Sequence, residues 1–134
     1  MHNFKFLIIY ILIFSASNVF AQFDQEKFCR TGIKDQIAFA EWGKKFRKHL
    51  FDTCKSKDLN DCLQPYTEVI KQKESNEITM LNNFFDKNPT EQHIRYLMHA
   101  QIAHKYTATM LALKLEDSPE VIANDIYLKC ISNK

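Results

Sequence analysis

The densest chemical signal in the chain is the run Lys44-Lys45-Phe46-Arg47-Lys48-His49, which Lys55 and Lys57 extend. Asp52 is the only acid between residues 44 and 57. Lys44, Lys45, Arg47, Lys48, Lys55 and Lys57 form a basic stripe suited to an acidic protein partner, an anionic glycan or a lipid head group. The competing reading is a solvated helix face, whose cations lie towards a helix C-terminus where the dipole favours them. Nucleic acid is not the expected partner. The whole chain carries 18 Lys+Arg against 16 Asp+Glu, and a nucleic-acid binder needs a larger basic excess.

A second group of polar side chains falls on one segment: His93, Arg95, Tyr96, His99, His104 and Tyr106. Histidines suggest metal binding or proton transfer, but their spacing supports neither. His99 and His104 lie about 140° apart around a helix, and His93 and His104 about 16 Å apart along it. No metal site is expected. Glu91, Arg95 and His99 follow at four-residue steps, the pattern of an exposed charge ladder.

Nucleophilic catalysis needs an activated Ser, Thr or free Cys beside a base. Ser56, Ser75, Ser118 and Ser132 fall in expected loops or helix ends, in no recognisable motif. No catalytic residue and no cofactor is assigned, and an enzyme is the third-ranked reading.

The four cysteines, Cys29, Cys54, Cys62 and Cys130, are an even set and contain no Cys-X-X-Cys pair. In an exported chain they read as two disulfides. Export is suggested by the N-terminus. Lys5 precedes the apolar run Phe6 to Phe14, and a more polar stretch ends in Val19-Phe20-Ala21. These are the three regions of a signal peptide, expected over residues 1–21 with cleavage before Gln22. The apolar stretch is broken by Ser15, Ser17 and Asn18, too early for a membrane span. Residues 22–134 are then a single helical domain, periplasmic or extracellular, with no membrane span after cleavage. The one Asn-X-Thr triplet, Asn88-Pro89-Thr90, is blocked by its proline, which leans towards a periplasm.

The elements that must position these groups are helices. With 2 Gly and 3 Pro, the chain has few residues for hairpin turns. Apolar periodicity separates four segments. The first spans about residues 24–54, where Phe39, Trp42, Phe46, Leu50 and Cys54 recur at three- and four-residue steps. Gly32 marks a break near its start, and Gly43 admits a close neighbour. The second covers about 62–86, with Pro65 in its first turn and a middle weakened by Lys73, Glu74 and Glu77. The third starts at Asn88-Pro89-Thr90-Glu91, with Asn88 as N-cap and Pro89 as first helical residue. The fourth starts at Ser118-Pro119-Glu120 in the same manner and carries Ile122, Ile126 and Cys130 at four-residue steps.

Short connections make consecutive helices antiparallel. The expected fold is all-α: a small four-helix up-and-down bundle stapled by two disulfides. Cys29 and Cys54 sit at opposite ends of the first helix, roughly 37 Å apart, too far to pair. Cys62 starts the second helix beside Cys54, and the fourth helix returns Cys130 to Cys29. The expected pairs are Cys54–Cys62 and Cys29–Cys130.

The many aromatic and methionine side chains read chiefly as core. Lining a cavity, Phe39, Trp42, Phe46, Met98, Tyr106 and Met110 would hold a small apolar ligand. The leading expectation is an exported non-catalytic binding module acting on a protein partner, as an inhibitor, immunity factor or effector. A carrier of small apolar ligands is the alternative.

Overall fold

A computed structural model describes residues 23–132. The expected signal peptide, residues 1–21, lies outside them. All regular structure among the described residues is helical: α1 Gln25–Thr31, α2 Ile33–Thr53, α3 Leu59–Asp86, α4 Gln92–Lys114 and α5 Pro119–Ser132. The first expected helix is therefore two pieces, α1 and α2, jointed at Gly32.

Helix starts follow local chemistry. Asp24 accepts from the Lys27 amide at 3.0 Å to open α1. Asp58 accepts from the Asn60 amide at 3.0 Å to open α3. Ser118 caps α5 through the Val121 amide at 3.2 Å, with Pro119 as the first helical residue, as expected.

Two starts differ from expectation. Helix α3 begins at Leu59, so Pro65 lies inside the helix rather than in its first turn. Asp58 is the better cap, and the extra turn it nucleates outweighs the one backbone bond that Pro65 cannot donate. Helix α4 begins at Gln92, so Asn88 is not its N-cap. Asn88 instead closes α3: its side-chain amide donates to the Phe84 carbonyl at 2.9 Å and its backbone N–H to Phe85 at 3.0 Å. Pro89 and Thr90 form the intervening turn.

The four long helices run alternately up and down, but they are not equally spaced. The parallel pair α2 and α4 packs most extensively, and α3 and α5 lie on opposite sides of it. Gly43 makes this approach possible. A Cβ built there would fall 2.3 Å from the Thr109 carbonyl oxygen and 2.8 Å from the Ala112 Cβ. Thr109 adds a hydroxyl bond to the Phe39 carbonyl at 3.0 Å.

The core is correspondingly divided. On the α3 side, Leu50, Ile70, Leu81, Phe85, Ile94, Met98 and Leu113 are buried with large side chains. On the α5 side, Ala40, Ala108 and Ala112 pack against Ile122 and Ile126, so α5 seats closely on small residues.

Both disulfides form as the helix geometry requires. Cys29 and Cys130 have Cα atoms 5.8 Å apart, and Cys54 and Cys62 5.7 Å. The first pair defines the lower end of the bundle. Gln25 Nε2 donates to the Cys130 carbonyl there at 2.7 Å, and the Tyr127 hydroxyl to Glu26 at 2.9 Å. The second pair defines the upper end.

Candidate functional site

The basic stripe lies on the upper half of α2 and on the connection that follows it, and it divides into two sets. Lys44 and Arg47 turn towards the C-terminus of α4. Lys44 Nζ donates to the Leu115 carbonyl, and Arg47 Nη1 to the Leu113 carbonyl at 3.1 Å. A helix end leaves its last carbonyls without intrahelical donors, and these two cations supply them. Arg47 also pairs with Glu116 at 3.7 Å. Burial lowers the Lys44 pKa from its ordinary value, and the Arg47 charge adds to this, while Asp117 and Glu116 oppose it.

The outer set is Lys45, Lys48, Lys55 and Lys57. All four are exposed, and none takes part in an ion pair among the described residues. Lys55 and Lys57 sit on an ordered connection. The Ser56 hydroxyl accepts from the Asp58 amide at 3.2 Å and donates to Asp61 at 3.3 Å, while Cys54–Cys62 closes the segment. Four lysines outside any ion pair among the described residues thus share one edge with the single acid Asp52.

Phe51 stands among them with half of its side chain, 52%, exposed. The Arg47 guanidinium lies 4.7 Å from its ring centroid. Counted with the core aromatics, Phe51 is out of place. It follows buried Leu50 by one residue, about 100° around the helix, and that offset is the signal in the sequence that points it outward. Phe84, Met80 and Tyr96 are exposed as well, exceptions to the chiefly core reading of the aromatic and methionine side chains.

The expected cavity-lining residues are brought together in the α2–α3–α4 seam. Phe39 meets Tyr106 edge-on at 5.2 Å, Trp42 meets Tyr106 at 6.4 Å, and Phe46 meets Trp42 at 4.8 Å. Met98 is buried and Met110 packs against the same cluster. Charged groups reach over these rings. Lys105 Nζ lies 4.8 Å from the Phe39 centroid and pairs with Glu77 at 3.2 Å, and Lys73 Nζ lies 5.7 Å from the Trp42 centroid. Burial and the nearby carboxylates of Glu77 and Glu74 push the Tyr106 hydroxyl well above its ordinary pKa. Burial also raises Glu74, against the neighbouring charge of His99.

The residues expected to form an exposed charge ladder do not form one. Arg95 crosses to α3, donating to Asn82 Oδ1 at 2.7 Å and pairing with Asp86 at 3.4 Å. Asn82 and Asp86 together satisfy the planar guanidinium better than the half-buried Glu91 alone. The histidines are dispersed: His93 stacks edge-on with Phe23, and His49 bonds the Tyr66 hydroxyl. No cluster of three or more His, Cys, Asp or Glu suited to a metal occurs among the described residues. No described helix is long and apolar enough to cross a membrane.

No known family, curated protein or solved structure matches the chain.

Proposed function

We propose that the protein is an exported, non-catalytic helical binding module that acts on a protein partner, as an inhibitor, immunity factor or effector. The observation that carries this reading is the outer set of Lys45, Lys48, Lys55 and Lys57. They take part in no ion pair among the described residues and sit on a scaffold stapled at Cys54–Cys62. Unpaired charges on a fixed edge favour encounter with an oppositely charged surface and set its orientation. The two disulfides and the leader-like N-terminus support an oxidising, exported setting, periplasmic or extracellular.

A photo-crosslinking residue at Asp52, within the edge, tests the proposal in extracellular and periplasmic fractions of the source organism. The expected result is a discrete protein adduct that disappears when Lys45, Lys48, Lys55 and Lys57 are all changed to Glu. An adduct pattern indifferent to those four reversals overturns it.

The second reading, a carrier of small apolar ligands, is favoured by the gathering of Phe39, Trp42, Phe46 and Tyr106 in one seam. Native mass spectrometry of the purified protein separates the two. A co-purifying apolar molecule, lost on Trp42→Ala, supports the carrier.

A further inference from the structure

The basic edge carries one feature that charge alone does not require. Phe51 is the one large apolar side chain exposed between residues 44 and 57. Lys48 lies three residues before it, and Lys55 four after it. Its ring lies against the Arg47 guanidinium, which is itself held by the Leu113 carbonyl and by Glu116 and keeps only 16% of its side chain exposed. A contact of this kind narrows the ring's freedom and so reduces the entropy lost on binding. Leu59, at the start of α3 beyond the staple, adds a second exposed apolar side chain at the same end.

We infer that the partner is recognised through an acidic segment bearing a large apolar side chain, which meets Phe51 while its carboxylates meet Lys45, Lys48 and Lys55. This rests on the basic-edge reading above. Aromatic and arginine side chains dominate the energetics of protein interfaces, while rim charges steer and orient. A sulfated glycan supplies the negative charge, but its sugar faces, ringed by hydroxyls and sulfates, bury Phe51 less fully than an apolar side chain does. An anionic membrane surface engages a broad apolar face rather than two apolar side chains on a lysine-rich edge.

The probe is a short fluorescent peptide alternating Glu and Leu, measured by anisotropy against full-length processed protein. Two controls replace Leu by Ser or Glu by Gln. Heparin and phosphatidylserine vesicles serve as competitors. The Glu/Leu peptide should bind at least about fivefold more tightly than either control. Phe51→Ser should remove that advantage and leave the Glu/Ser peptide unaffected. Lys48→Glu with Lys55→Glu should abolish binding of both acidic peptides. Each variant should keep the helical circular dichroism of the parent, since all three positions are exposed. Equal binding of the Glu/Leu and Glu/Ser peptides, unchanged by Phe51→Ser, overturns the inference and leaves a charge-only edge standing. Tighter capture by heparin or by vesicles also overturns it. Indifference of every probe to the lysine reversals removes the basic edge as well.

Discussion

Gly43 of α2 and Thr109 of α4 bring two parallel helix backbones into direct contact. The missing Cβ at Gly43 would sit 2.3 Å from the Thr109 carbonyl oxygen. In an up-and-down bundle the first and third long helices are diagonal partners. Here the diagonal is the tightest contact, and it splits the core into an aromatic half and an alanine half.

Gly43→Ala should therefore destabilise the protein, although alanine is favoured over glycine in an isolated helix by about 1 kcal/mol. The obstructing atom is backbone, which cannot swing aside. Overpacking of this kind costs about 1–3 kcal/mol, and urea denaturation should show a lower midpoint. A raised midpoint would show that α4 moves away freely.

The two disulfides should contribute unequally. Cys29–Cys130 spans a separation of 101 residues and Cys54–Cys62 only 8. Loop-closure entropy puts the long staple on the order of 4–5 kcal/mol, about 2 kcal/mol above the short one. Replacing each pair by alanine and comparing denaturation midpoints checks the order. Cys29→Ala with Cys130→Ala should be the more damaging pair.

Arg47 and Lys48 are adjacent in sequence but should respond differently. Arg47→Gln loses the bond to Leu113 and the contact with Phe51, a cost of about 1 kcal/mol. Lys48→Gln should change stability by less than about 0.5 kcal/mol. Glu116→Gln should be similarly mild, because Glu116 is 92% exposed and its ion pair is screened. Thermal unfolding distinguishes the three.

Burial lowers the His104 pKa below the ordinary 6.5, so the folded protein resists its protonation. Above that value the ring is neutral in both states and costs nothing. As pH falls below it, the unfolded chain takes up a proton that the folded chain does not. Stability is then lost until the folded pKa is reached. Glu74, raised by burial, acts in the opposite sense, favouring the folded state as pH falls towards 4.5. His104→Gln should flatten the loss just below pH 6.5, measured by denaturation across that range.

Gln36 is fully buried beside Gly32, and its Oε1 has no hydrogen-bond partner. An unmet buried acceptor costs about 1–3 kcal/mol, so Gln36→Met should raise the denaturation midpoint.

Much of the framework was legible in the residues. The cysteine pairs followed from helix length and alternation, and Ser118-Pro119 marked a helix start that the structure keeps. Asn88-Pro89 carried the same signature and was misleading, because an asparagine side chain can donate as well as accept. At residue 88 it donates backward to Phe84. The middle of α3 looked weak because Lys73, Glu74 and Glu77 interrupt its apolar face. Their partners, Trp42, Lys105 and Tyr106, lie on other helices, and no local pattern reveals such pairings. The stripe was visible as a run of charges. Its division into carbonyl-binding and outward sets depends on where α4 ends, which only the packing decides.

The Cys29–Cys130 bond ties both ends of the helical chain to the pole opposite Lys45, Lys48 and Phe51. A tag or tether attached beside Phe23 or Ser132 therefore leaves the helices far from that edge. Immobilised in this way, the protein should present its lysines and phenylalanine to solution with no obstruction from the support. The same geometry would let a fused domain be carried without masking them.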